Sequence, residues 1–258
     1  MMTKTVAIIY ATKGGMGDVG KFAVTLSKLE QALACNIRPV ALSIESSSEG
    51  TDKGFEVDIV DLELKQKTEK LLGSLEDSIL KIDVAKDSAE KEIADAIEGA
   101  DAVISCIGNR QFMERWCWLG TKKVVGAMRA KKIQRLVSLS SFGIGNDFIK
   151  TSAITVVWRT MLRTVLRSAR KDIIRMEKEV RESGLDYTIV RPVGLSPEEP
   201  SQGSCDQLLS KEDGNLDISI SKSDAAVFML KEALEPSIHG KEVTIGYLTT
   251  RKTAEQSA

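Results

Sequence analysis

The strongest constraint on what this chain can fold into is an alternation that begins at its first residues. Short apolar runs are each followed by a stretch with helical spacing. "TVAIIYAT" (5–12) has the composition of a buried strand, and after it Phe22, Leu26, Leu29 and Leu33 recur at helical intervals. "RPVALSI" (38–44), with Pro39 near its start, predicts a second strand, and "DSILKIDV" (77–84) a third. Further on, "SAEKEIADAIEG" (88–99) predicts a short helix stopped by Gly99. The pattern continues with a strand at 100–108, a helix at 119–132, a strand at 133–143 and a long helical stretch from about Ser152 to Ser183, ended by Gly184. A sixth strand at 185–194, a helix at 222–235 and a last strand at 241–247 complete it. Strands separated by helices of this length predict right-handed βαβ crossovers and an α/β fold, a Rossmann-like, doubly wound, mostly parallel sheet. Nothing resembling a linker divides the chain, so one domain is expected over 1–248. It carries a charged insertion at 46–76 and a disordered tail at 249–258.

Between the first strand and the first helix lies "YATKGGMGDVGKFAV", with Gly14, Gly15, Gly17 and Gly20 inside seven residues. "GMGDVG" (15–20) fits the spacing G-x-G-x-x-G, and Gly14, Gly17 and Gly20 fit G-x-x-G-x-x-G. A strand before, a helix after and glycines between let the backbone approach a diphosphate held at a helix N-terminus. A dinucleotide cofactor is therefore expected on Thr12, Lys13, Gly14, Gly15, Met16, Gly17, Asp18 and Val19. The alternative is a tight turn with no ligand. Glu45 closes the second strand, where a carboxylate favours the ribose hydroxyls of NAD and an arginine would favour the 2′-phosphate of NADP. Glu45 is equally readable as a solvated loop charge. Lys13 in the glycine loop and Lys53 beyond the second strand are the cations expected for a phosphate.

Lys+Arg 36 against Asp+Glu 37 nearly cancel, which argues against nucleic acid as a partner. No apolar run approaches the roughly 18 residues of a membrane span, and the N-terminus lacks the pattern of a signal peptide. Cys35, Cys106, Cys117 and Cys205 show no metal-ligand spacing, so no metal is expected and the thiols predict a cytoplasmic protein.

Four stretches, "KIDVAKDSAEKEIADAIEGADAVISCIGNR", "GTKKVVGAMRAKKIQRLVSLSS", "IRMEKEVRESGLDYTIVRP" and "ISISKSDAAVFML", carry a resemblance. The chain resembles the atypical short-chain dehydrogenase/reductases, in the NmrA-like NAD(P)H-binding branch of the biliverdin-IXβ reductase and flavin reductase type. The resemblance spans most of the chain except 46–76 and the tail. It implies that Asp83 and Val84 lie by the adenine, and that Cys106, Ile107, Gly108, Asn109 and Arg110 line the cofactor. It further implies that Ser140 and Ser141 sit beside the nicotinamide, with Pro192 and Val193 covering it. Asp83 is also readable as a turn residue, and the serines as strand-end hydroxyls. The glycine turn is one residue longer than the family's Gly-Ala-Thr-Gly opening, and the arginine common after the second strand is missing. Glu177 stands where a related sequence carries His. The resemblance favours NADP, and Glu45 favours NAD.

Short-chain dehydrogenases commonly use a Tyr-x-x-x-Lys pair as proton donor. Tyr10, Tyr187 and Tyr247 are not followed by Lys at that spacing, and the one histidine, His239, falls in a C-terminal loop. Alcohol–ketone chemistry needs such an acid. Hydride addition to a conjugated acceptor does not, because the charge spreads over the π-system and solvent supplies the proton. The expected activity is thus an NAD(P)H-dependent reductase of a planar flavin, linear tetrapyrrole or quinone, with Ser141 orienting substrate and nicotinamide. The alternative is a non-catalytic NAD(P)-binding redox sensor of NmrA-like type. Trp116 and Trp118 either stack on the planar substrate or pack in the core. In 153–175, Ile154, Val157, Trp158, Met161, Leu162, Val165 and Leu166 form one face, and Arg159, Arg163, Arg167, Arg170, Lys171 and Arg175 the other. Such a helix covers a sheet or contacts an anionic membrane or a protein. The sequence sets no oligomeric state.

Overall fold

The computed structural model describes residues 4–11, 19–21, 23, 35–43, 79–108, 116–144, 160, 167–196 and 219–247. The insertion 46–76 and the tail 249–258 lie outside them, as do most of 153–175. Seven strands form one sheet: β1 (Lys4–Ala11), β2 (Cys35–Ser43), β3 (Leu80–Asp83), β4 (Ala102–Cys106), β5 (Arg135–Leu139), β6 (Asp186–Pro192) and, last in the chain, β9 (Lys241–Ile245). Their spatial order is β3-β2-β1-β4-β5-β6-β9 and every neighbouring pair is parallel. The expected mostly parallel sheet is parallel throughout. Strands end sooner than the apolar runs: β3 starts at Leu80, where pairing with Val40 of β2 starts, three residues inside the predicted run. Two three-residue strands, β7 (Gly194–Ser196) and β8 (Ser219–Ser221), pair beside the end of β6. They are too short to show a period in the sequence.

Apolar residues alternate between two cores. Val6, Ile8 and Tyr10 of β1 face the helix α4 (Lys222–Leu234), where Ala226, Met229 and Leu230 meet them. Ala7, Ile9 and Ala11 face the opposite layer, made of α1 (Ala89–Ile97), α2 (Cys117–Ala130) and α3 (Arg167–Arg181). The strand period of two puts a hydrophobe on both faces, as a sheet covered on both sides requires. Helix α1 buries Ala89, Ile93, Ala94 and Ile97, one stripe at helical spacing, with Glu90 and Glu92 in its first turn where the helix dipole favours them. Helix α4 begins at Ser221, whose Oγ accepts from the Asp224 amide. Helix α2 is capped from outside: the Asp172 carboxylate of α3 accepts from the amides of Cys117 and Trp118 at 2.9 and 3.3 Å. Trp116 is buried in the core. Trp118 lies on the outer α2–α3 surface, its indole donating to Glu179 and its ring 5.6 Å from the Lys122 ammonium. Both tryptophans therefore pack rather than stack on a ligand at the strand ends.

At the amino ends of the strands, Arg135 of β5 is buried. Its guanidinium donates to the Thr188 hydroxyl at 2.8 Å, the Ile238 carbonyl at 3.0 Å and the Glu232 carboxylate at 3.1 Å. His239 is exposed in the loop beside it, on Asp186, as a surface histidine at the far end of the sheet. Replacing Arg135 with Ala leaves the buried Glu232 carboxylate without its cation. We expect a loss of about 3–5 kcal/mol of unfolding free energy, read by urea denaturation at pH 7, with dinucleotide binding by the folded fraction unchanged.

Candidate functional site

The strand order reverses between β1 and β4. From β1 the chain proceeds outward through β2 and β3, then returns to β4 and proceeds the other way. A crevice necessarily opens outside the carboxyl ends of those two strands, and that is where open α/β sheets bind ligands. Residues 19–21 and 23 are helical and lie over this junction. A Cβ added to Gly20 would stand 2.4 Å from Tyr10 Cβ on β1 and 3.1 Å from Cys106 Cβ on β4. Only a residue without a side chain lets the helix descend that far, which is the packing role of the third glycine in a G-x-G-x-x-G turn. Val19 and Ala23 are buried beside it. The chain's residues thus fit a dinucleotide: the cradle is shaped by an absent methyl at the switch point of the sheet.

Of the residues expected at the site, Thr12, Lys13, Gly14, Gly15, Met16, Gly17, Asp18, Glu45, Asn109 and Arg110 lie outside the described residues. Val19 lies in the helix over the junction, and the others stand at or just past the carboxyl ends of their strands. Asp83 ends β3, and its carboxylate accepts from the Ala85 amide at 3.0 Å, so the turn-residue reading of Asp83 describes the bond it makes. Val84 is buried in the core beyond it. Cys106 ends β4, but its side chain is sealed in the α4-side core with Sγ 4.0 Å from Met229 Sδ, and burial pushes its thiol pKa up. Ile107 is likewise buried. What Cys106 and Ile107 can offer the crevice is main chain. Pro192 ends β6 and Val193 follows it, with the Val193 amide donating to the Ile245 carbonyl of β9.

The two serines after β5 differ. Ser140 is buried, its amide donating to the Val190 carbonyl and its hydroxyl to Glu177 Oε1 at 2.6 Å. Ser141 is partly exposed, and its hydroxyl makes only a long 3.4 Å contact to the Phe142 carbonyl. Glu177, on α3, is buried too. Its carboxylate accepts from Arg191 at 2.8 Å (Nε) and 2.7 Å (Nη2) and from Arg181 Nη2 at 2.6 Å. Arg181 in turn donates to Glu242 of β9 at 2.5 Å. Burial alone would raise the Glu242 carboxyl, but the Arg181 guanidinium bonded to it prevails and holds it below its ordinary value. Of this cluster the sequence singles out Glu177 alone, and without its partners. The signal was there: Glu177 falls on the apolar stripe of α3 with Ile173 and Val180, and Arg191 interrupts the buried run "TIVRP". A charge in such a place must find a partner.

The three tyrosines and the histidine are all among the described residues, and each has a location that accounts for it. Tyr10 is fully buried beneath Gly20, and burial raises its pKa far above the ordinary value. Tyr187 is at the start of β6, the end of the sheet opposite the crevice. Tyr247 donates to Asp224 Oδ2 at 2.5 Å while accepting from the Ser221 amide at 3.0 Å, and burial followed by that carboxylate bond raises its pKa. His239 faces solvent beside Arg135, again at the far end. Among the described residues no cluster of His, Cys, Asp or Glu is built to hold a metal ion, and no helix is long and apolar enough to cross a membrane.

Fold and crevice together define a Rossmann-type dinucleotide-binding protein. A family described as NAD(P)H-binding matches residues 52–236, and the chain belongs to that family. The match starts after the glycine turn and spans β3 through α4. NAD(P)H is accordingly the cofactor, and the fold is that of NAD(P)H-binding oxidoreductases. Among solved structures, the chain is similar to a short-chain dehydrogenase/reductase from Veillonella parvula in complex with NADP. That match has 16% identity and a TM-score of 0.61, and covers 96% of this chain and 97% of the other. It is also similar to ChuY, an anaerobillin reductase from Escherichia coli O157:H7, with 16% identity, TM-score 0.60, and 96% and 99% covered. A Rossmann-fold NAD(P)-binding family protein from Shigella flexneri matches with 18% identity, TM-score 0.56, and 96% of each chain covered.

Two outcomes follow. Gly20→Ala forces the helix off β1, because the Cβ it would strike is anchored to the backbone. It should cost about 1–3 kcal/mol of stability and weaken NAD(P)H binding measured by titration calorimetry. The Glu242–Arg181 pair gives a pH-dependent term. With its folded pKa lowered, Glu242 stabilises the fold above the ordinary glutamate pKa, and that contribution disappears as pH falls through the lower folded value. Glu242→Gln should therefore be less stable than the parent at pH 7, by under about 1 kcal/mol for a half-exposed pair, and equally stable once both are taken well into acid.

Proposed function

We propose that this protein is an NAD(P)H-dependent reductase that delivers hydride to a planar conjugated acceptor of the flavin, linear tetrapyrrole or quinone type, akin to the biliverdin-IXβ and flavin reductases. Bound NAD(P)H supplies a hydride, that is, a proton's worth of hydrogen with two electrons. The chain's part is to hold that cofactor and align the acceptor. The glycine turn, Gly14, Gly15 and Gly17 with Val19, holds the diphosphate. The main chain of Cys106, Ile107 and Gly108, with Asn109 and Arg110, lines the cofactor, and Pro192 and Val193 cover its reactive ring. Ser141 orients ring and acceptor.

One observation carries this reading: no acid among the described residues is available at the crevice. Ser140 has given its O–H to Glu177. Tyr247 has given its own to Asp224. Tyr10 is sealed away, and Tyr187 and His239 are at the opposite end. A ketone reduced here would leave an alkoxide that none of the described side chains is placed to protonate. A conjugated acceptor gains the hydride, spreads the charge over its π-system and takes one proton from water. The similar fold of an anaerobillin reductase supports this reading.

The test is absorbance at 340 nm with NADH or NADPH and, separately, FMN, biliverdin and a quinone. Turnover with at least one acceptor is expected, with no turnover of simple ketones. Tight dinucleotide binding with no turnover of any acceptor would overturn the reductase and favour the non-catalytic redox sensor, which the same absence of an acid also suits.

A further inference from the structure

We propose that Glu177 is a positioning residue for the nicotinamide half of the site, acting through Ser140 on the strand ends that carry Ser141 and Val193. The proposal rests on the NAD(P)H reading above.

Among the described residues, two buried arginine–glutamate pairs cross this domain. Arg135–Glu232 sits at the amino ends of the strands, away from the crevice. Arg191–Glu177 sits at the carboxyl ends, next to it. A buried ion pair is poor evidence of stabilisation, because apolar residues of the same volume often do as well. What the Glu177 cluster does geometrically is specific. Its carboxylate holds Ser140, the first residue after β5, and Arg191, the penultimate residue of β6. Main-chain bonds then run from Ser140 N to the Val190 carbonyl and from Phe142 N to the Pro192 carbonyl at 3.1 Å. Ser141 is therefore held between two fixed neighbours, and its own hydroxyl, bonded only weakly, is the one left for a ligand. A dinucleotide lying across a doubly wound sheet places one half over β1–β2–β3 and the other over β4–β5–β6. The Glu177 cluster supports only the second half, where the nicotinamide lies.

That asymmetry makes the proposal testable by binding alone. NADPH and NADH, together with the fragments lacking nicotinamide, 2′-phospho-ADP-ribose and ADP-ribose, are titrated against five proteins: the parent, Glu177→Gln, Ser140→Ala, the double variant of those two, and Glu232→Gln. Thermal unfolding is recorded in parallel. We expect Glu177→Gln to bind the preferred dinucleotide about tenfold more weakly, the worth of roughly one hydrogen bond, while its preferred fragment stays within about twofold. Ser140→Ala should show the same selective loss, and the double variant no more than either single one. Glu232→Gln should melt earlier yet keep both affinities. Ser140→Ala removes one oxygen, so it carries the test even if Glu177→Gln does not fold.

Equal losses of dinucleotide and fragment would make the cluster merely structural and overturn the proposal. So would unchanged dinucleotide binding, or losses that multiply in the double variant. A parent protein that binds neither dinucleotide would instead sink the NAD(P)H reading, and this proposal with it.

Discussion

A missing methyl group at position 20 sets the geometry on which the site depends. The helix after β1 lies against Tyr10 and Cys106 at a distance no side chain would permit. Those two residues come from β1 and β4, the pair between which the strand order reverses. The contact therefore brings the helical residues 19–21 to the place where the strand order reverses. Both halves of the sheet are hung from this seam, and the residues proposed to hold the cofactor are the first ones past it on each side.

The polar interior is divided by end. At the amino ends, Arg135 draws together β5, β6, α4 and the loop before β9, through Thr188, Glu232 and Ile238. At the carboxyl ends, Glu177 draws together β5, β6 and α3, and through Arg181 it reaches β9. Parallel sheets have one end that can be devoted to stability and one that must also serve a ligand. Nearly the same chemistry, a guanidinium on a buried carboxylate, thus has different consequences at the two ends. Desolvation makes either pair expensive to break. Only at the carboxyl ends does the pair also determine where a serine hydroxyl and a strand terminus stand.

The periodicity of the sequence located every strand of the main sheet, because a sheet covered on both faces needs near-continuous apolar runs such as "VAIIYA" of β1. It missed β7 and β8, which are three residues each. It also set β3 too long, since where a strand begins depends on its neighbour as well as on its own residues. At the site, the family resemblance implied Ser140 and Ser141 as a pair but not as opposites. Their difference comes from which face of the sheet each side chain takes and from Glu177, 37 positions away in the chain. Glu177 stands in the sequence as a departure from the His of a related sequence and as a charge on an apolar stripe, and neither names Ser140 or Arg191 as its partner.

What the sequence determined by itself is therefore the local part: which segments are strands or helices, that the sheet is doubly wound, and that a glycine turn opens the first crossover. These follow from hydrophobic period, from turn chemistry and from the handedness of βαβ units, all of which act over a few residues or one crossover. The tertiary structure alone decided which hydroxyl is spent and which is left for a ligand, which tryptophans are core, and why none of the described tyrosines can serve as the acid. Those outcomes depend on partners brought together from distant positions, Ser140 with Glu177, Trp118 with Glu179, Tyr247 with Asp224. A buried polar group takes whatever partner the packed fold puts beside it, and no local pattern records which one that is.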